Sequence, residues 1–154
     1  IVDPIVVDEE IVSSSVIRYH LQEGKIEKAN KYLNRYFMLS GKVIKGKQLG
    51  RTIGFPTINL DYNKKFIIPK GGVYYTQVEY NNQRYKGITN IGYNPTVEGK
   101  KLSIETHILD FDKTIYDEDV KIYFISKIRD EKKFDTIEGL KFQLENDKEF
   151  AKSK

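Results

Sequence analysis

The chain has 154 residues, 39% hydrophobic and 31% charged, with a formal net charge of +4, enough for one sizeable core and too little for two. It contains no Cys, which excludes disulfide frameworks and thiolate zinc sites. No apolar run approaches the roughly 18 residues of a membrane span, and no basic stretch leads into an apolar one as in a secretory signal, so a soluble cytoplasmic protein is expected.

Residues 1–12, IVDPIVVDEEIV, mix apolar and acidic side chains around Pro4 and read as an extended piece. The chain opens on Ile rather than Met, as a fragment or processed chain would. From Ser14, Ile17 and Leu21 and then Ile26, Ala29 and Leu33 recur at three- and four-residue spacings on either side of Gly24, which predicts two short helices broken at that glycine. From about Tyr36 the apolar period falls to two. GVYYTQVEY, Gly72 to Tyr80, predicts a strand, Asn81-Asn82 a tight turn, and QRYKGITNIG the returning strand. LSIETHIL places Leu102, Ile104 and Ile108 on one face and Ser103, Glu105 and His107 on the other. DVKIYFISKI, Asp119 to Ile128, is rich in β-branched and aromatic residues and predicts a further strand. About six strands with turns between them and no crossover helix predict a mainly β fold: a six-stranded antiparallel, Greek-key-like barrel. At the end, Asp135 and Glu138 have capping-box spacing and Ile137, Leu140 and Leu144 form one stripe, predicting a C-terminal helix packed on the barrel.

One stretch invites a chemical reading. In GKVIKGKQLGRTIG, Gly41, Gly46, Gly50 and Gly54 alternate with Lys42, Lys45, Lys47 and Arg51. Close glycines let backbone N–H groups converge on an anion, although the same composition also describes a solvated loop. GKVIKGKQ nearly satisfies the P-loop spacing, but Gln48 stands where a hydroxyl must bind magnesium, and GRTIGFP cannot open the required helix. A Walker site is therefore excluded. Pro56 sets an extended backbone, so Thr57 and Asn59 fall on one side of the chain, a hydroxyl and an amide oxygen suited to a magnesium ion carrying phosphates or, equally, to bonding the backbone.

GKVIKGKQLGRTIGFPTINL, followed by GGVY, NIGYNPTV, IETHILDF and IRDEKKFDTIEGL, resembles riboflavin kinase, the C-terminal module of bacterial bifunctional riboflavin kinase/FAD synthetases, over roughly Tyr36 to Asp147. The resemblance implies a six-stranded antiparallel barrel with a C-terminal helix and an ATP- and Mg2+-dependent phosphorylation of the riboflavin 5′-hydroxyl to FMN. It implies Thr57 and Asn59 as metal-binding residues, with Ile58 where the family motif has Ala, and Glu105 as the catalytic base; without it, Glu105 is an exposed strand glutamate. Lys45, Gly46, Gly50, Asp110 and Tyr116 match the family's ATP-binding positions, and Arg129, Lys132 and Phe134 its flavin-binding loop. VSSSVIRYHLQEGK resembles the end of the family's adenylyltransferase module, so residues 1–34 are expected to be a remnant of it, packing against or trailing from a kinase domain at 35–154. The implied partners are riboflavin, FMN, ATP and ADP, with no nucleic acid and no membrane. A monomer is expected, fused in its natural parent to an FMN adenylyltransferase, with no FAD synthetase activity from these residues alone. The competing reading is an OB-like basic barrel binding single-stranded nucleic acid. Against it, the cations gather at the glycine loop and before the last helix rather than alternating with aromatics along strands. His20 and His107 receive no role.

Overall fold

The computed structural model describes residues 5–7, 10–12, 14–45, 54–63, 65–97 and 99–154. A small hairpin, β1 (Ile5–Val7) and β2 (Glu10–Val12), precedes helices α1 (Ser14–Gln22) and α2 (Ile26–Leu33). Gly24 lies between the helices with φ +76°, the left-handed conformation that stops α1 as its sequence position predicts. Then come β3 (Phe37–Ile44), β4 (Ile58–Tyr62), β5 (Gly72–Tyr80), β6 (Gln83–Thr96), β7 (Gly99–Ile108), β8 (Asp119–Arg129) and the C-terminal helix α3 (Ile137–Lys152).

Strands β3 to β8 close into an antiparallel barrel in the order β3-β4-β7-β6-β5-β8. Within it, β5, β6 and β7 form a meander and β8 returns beside β5, a Greek key. Asn81 and Asn82 both take positive φ, the geometry a two-residue hairpin needs. The returning strand runs four residues past Gly92, to Thr96, where Pro95 sits near the hairpin end and its missing N–H is tolerated.

Alternation sorts the side chains. Leu39, Val43, Leu60, Tyr74, Val78, Ile91, Ile104, Ile108, Val120, Ile122 and Phe124 fill the barrel, and each fully buried aliphatic contributes about 1.5–3 kcal/mol. Thr76, Thr89 and Thr106 are also wholly inside. Their hydroxyls form a chain, 2.9 Å from Thr76 to Thr89 and 2.7 Å from Thr89 to Thr106, so these buried oxygens satisfy one another.

The helical pair packs over the barrel rather than trailing from it. Leu21, Ile26 and Ala29 join the inward-facing residues, and the Asn30 amide donates to the Phe124 carbonyl while its oxygen accepts from Phe37 N–H, both at 2.7 Å. On the outer face, Val73, Tyr75, Ile88, Leu109 and Ala151 form a second cluster beneath α3. Two expectations about α3 are corrected. Its N-cap is Thr136, whose hydroxyl accepts from Gly139 N–H at 3.0 Å, one residue after the expected Asp135. Ile137 is 61% exposed, and the inward side instead passes through Leu140, Leu144, Asp147 and Ala151, with Asp147 only 1% exposed.

Gly41, the first glycine of the near-P-loop, lies in β3. A Cβ there would overlap the carbonyl oxygen of Asp61 on β4, so this glycine permits close strand approach. Gly41→Ala is expected to cost about 1–3 kcal/mol by forcing β3 and β4 apart, read as a lowered urea midpoint at unchanged m-value.

Candidate active site

The start of β4 and the middle of β7 build the centre. Ile58 pairs with Thr106 and Asn59 with Glu105, so Ile58 and Thr106 turn inward while Asn59 and Glu105 face out together. The Asn59 amide nitrogen lies 3.5 Å from Glu105 Oε1, a long contact, and this orientation leaves Asn59 Oδ1 directed elsewhere. Ile58 packs against the interior cluster, on the opposite side of the strand from the Asn59 side chain, and lines a cavity that Thr57 also lines. Its extra bulk over Ala is therefore taken up on the side of the strand away from Asn59.

On the other side of β7, Asn90 of β6 is the register partner of Glu105. Asn59, Glu105 and Asn90 thus form an outward polar row across three strands. Two residues on, a Cβ at Gly92 would stand 2.5 Å from Glu131 Oε1, so the loop after β8 closes over the sheet beside this row. Asn90 has no signal in its own segment, where TNIG reads as strand; only the register brings it to Glu105.

A cavity of about 220 Å3 opens at the end of the barrel next to Thr57. Val43, Pro56, Thr57, Ile58, Phe111 and Tyr116 are among its walls, with Thr106 and Ile108 at its floor. Lys45 Nζ lies 5.6 Å from the Tyr116 ring centroid, placing a cation at the rim. Asp117 N–H donates to Val43 O at 2.8 Å and Val43 N–H donates to Glu118 O at 2.9 Å, tying the Tyr116 segment to β3. Asp110 stands apart in the turn after β7, exposed and with φ +53°, and does not line the cavity. Gly46 and Gly50 lie outside the described residues.

Residues 33–154 match the family model described as Flavokinase, riboflavin kinase. The chain belongs to the riboflavin kinase family. It is 41% identical over 153 residues to the bifunctional riboflavin kinase/FMN adenylyltransferase of Bacillus subtilis, covering 97% of this chain and 48% of that protein. The chain therefore spans about half the length of the curated relatives it matches. A crystal structure described as a macrolide-efflux protein from Streptococcus pneumoniae superposes with TM-score 0.93 at 36% identity, over 98% of this chain and 50% of that one. Riboflavin kinase from Trypanosoma brucei shares the fold, with TM-score 0.52 at 24% identity over 75% of this chain and 77% of that one. Among the described residues no helix is long and apolar enough to cross a membrane.

Against this riboflavin kinase background the loop after β8 takes on meaning. Phe134 receives two cations at its ring, Arg129 at 5.9 Å and Lys132 at 5.5 Å, so the three expected flavin-loop residues do gather. Arg129, however, is committed elsewhere. Its Nε and Nη2 donate to both carboxylate oxygens of the buried Asp147 at 2.9–3.2 Å, and Gln143 donates to the same carboxylate at 3.0 Å. A bidentate pair of this kind fixes orientation as well as charge. Arg129 thus pins α3 to β8 and holds up one side of the loop that carries Lys132 and Phe134.

The donor set suits magnesium. Asn59 offers a neutral hard oxygen beside the Glu105 carboxylate, and Thr57, just before β4, offers a hydroxyl at the cavity. Among the described residues no group of three or more His, Cys, Asp or Glu side chains forms a cage.

Proposed function

We propose that this chain transfers the γ-phosphoryl group of ATP to the 5′-hydroxyl of riboflavin, giving FMN and ADP, with magnesium as the metal. The observation that carries the reading is the outward pair of Asn59 and Glu105, flanked on one side by the cavity beside Thr57 and on the other by the loop bearing Lys132 and Phe134. Riboflavin would lie with its ring system against Phe134 and its ribityl chain running past Asn90 toward Glu105. ATP would lie along the glycine stretch with Lys45 near its phosphates. As the riboflavin oxygen bonds to the γ-phosphorus and the bond to the β-phosphate oxygen breaks, the hydroxyl proton passes to Glu105. Asn59 steadies that carboxylate, and Lys45 offsets negative charge on the transferring group. Bound through Thr57 and Asn59, magnesium would neutralise phosphate oxygens and hold the chain of phosphates in line.

The relatives named as bifunctional support fusion of this kinase piece to an FMN adenylyltransferase in the parent protein. The 154 residues alone are proposed to stop at FMN. Incubation of the pure protein with riboflavin and Mg-ATP, followed by mass spectrometry, is expected to give FMN and no FAD. Absence of FMN would sink the kinase reading. The single-stranded nucleic-acid alternative is not favoured by the family match; it would return only if FMN were absent and oligonucleotide binding fell steeply between two salt concentrations.

A further inference from the structure

The ladder between β4 and β7 has only two register pairs, Ile58 with Thr106 and Asn59 with Glu105. Continued by one step it would pair Thr57 with His107, and by two, Pro56 with Ile108. It stops because Pro56 has no N–H to contribute. The His107 side chain takes over at that point. Its Nδ1 lies 2.8 Å from the Pro56 carbonyl oxygen, and since a carbonyl has no proton to give, the hydrogen sits on Nδ1.

The preceding residue is clamped as well. The His107 and Phe55 rings meet edge to face, with centroids 5.4 Å apart, and Lys148 of α3 places its Nζ 6.0 Å from the Phe55 centroid. Phe55 is buried by these contacts. Burial is the main cause that lowers the His107 pKa, with the Lys148 charge adding to it and the Pro56 hydrogen bond opposing it. The neutral ring is therefore favoured at neutral pH, and the Nδ1–H tautomer is the one that fits.

We propose that His107 is a positioning residue for phosphoryl transfer: where the ladder ends its Nδ1–H holds the Pro56 carbonyl, fixing the Pro56-Thr57 peptide and so the direction in which Thr57 presents its hydroxyl to the nucleotide-bound metal. The inference rests on the kinase reading, and its test separates the two. His107→Phe keeps an aromatic ring of similar size without the donor; His107→Asn restores an N–H near the Nδ1 position.

ADP binding is measured by calorimetry without riboflavin, with Mg2+ and again with chelator. Loss of the bond is expected to weaken ADP binding about tenfold in Mg2+ for His107→Phe, with little change in chelator, and His107→Asn is expected to recover most of it. In turnover, the Mg2+ concentration giving half-maximal rate rises by a similar factor while riboflavin KM stays near wild type. Nitrogen-15 spectra of the wild-type protein are expected to show His107 protonated on Nδ1. Wild-type metal dependence in His107→Phe, equal loss in both variants, or an Nε2–H tautomer would each overturn the assignment. Metal-dependent ADP binding that responds to His107 in a protein making no FMN would overturn the kinase reading alone.

Discussion

Glu105→Gln is expected to leave a folded barrel that forms FMN about 10²- to 10⁴-fold more slowly, the range supplied by a positioned general base. The substitution keeps the side chain's length and an oxygen able to accept from Asn59, so the outward row persists and the thermal midpoint stays near wild type. Only the proton acceptor is gone. Thr57→Ala is expected to lower turnover as well, but its loss should shrink as Mg2+ is raised, whereas the Glu105→Gln loss should not. Single-turnover FMN formation across a Mg2+ series checks both. Wild-type rates in Glu105→Gln would remove Glu105 from the chemistry.

Asp147→Ala is expected to produce the largest loss of stability, about 3–5 kcal/mol, because it leaves the Arg129 guanidinium in a mostly enclosed place without its partner. The pair lies under α3, so riboflavin binding should weaken with it as the Phe134 loop loses its support. Urea unfolding and flavin fluorescence titration read the two effects. Arg129→Met combined with Asp147→Leu is expected to recover most of the stability, since an apolar pair of similar volume carries no desolvation cost. A fall of less than about 1 kcal/mol in Asp147→Ala would show the pair to be energetically ordinary for an exposed one.

The barrel was legible because its signals are local. Alternation in β5 and β7 and the paired asparagines between β5 and β6 each act within a few residues, and each predicted the strand or turn that forms. The helix start slipped by one residue because Asp135 and Thr136 are both good caps and the sequence offers no way to rank them. Ile137 fits the apolar stripe by spacing yet lies exposed in the first turn, and Asp147 reads as solvent-facing in the sequence because a carboxylate does so until its partner is known. That partner is 18 residues away on another element. For the candidate site, spacing alone offered Thr57 and Asn59 as one side of a strand, and only the resemblance raised Glu105 above an ordinary glutamate. Asn90 and His107 needed the strand register, which depends on the whole barrel closing.

The helical pair also bears on where this unit can be cut and joined. The family match begins at residue 33, yet Leu21, Ile26 and Ala29 are part of the barrel interior and Asn30 bridges the first and last barrel strands. A graft that began at the match would leave an apolar opening and strip the Asn30 amide from the Phe37 N–H and the Phe124 carbonyl. A portable form of the barrel therefore has its natural seam ahead of Ser14, so that whatever is spliced in front of it meets a finished surface.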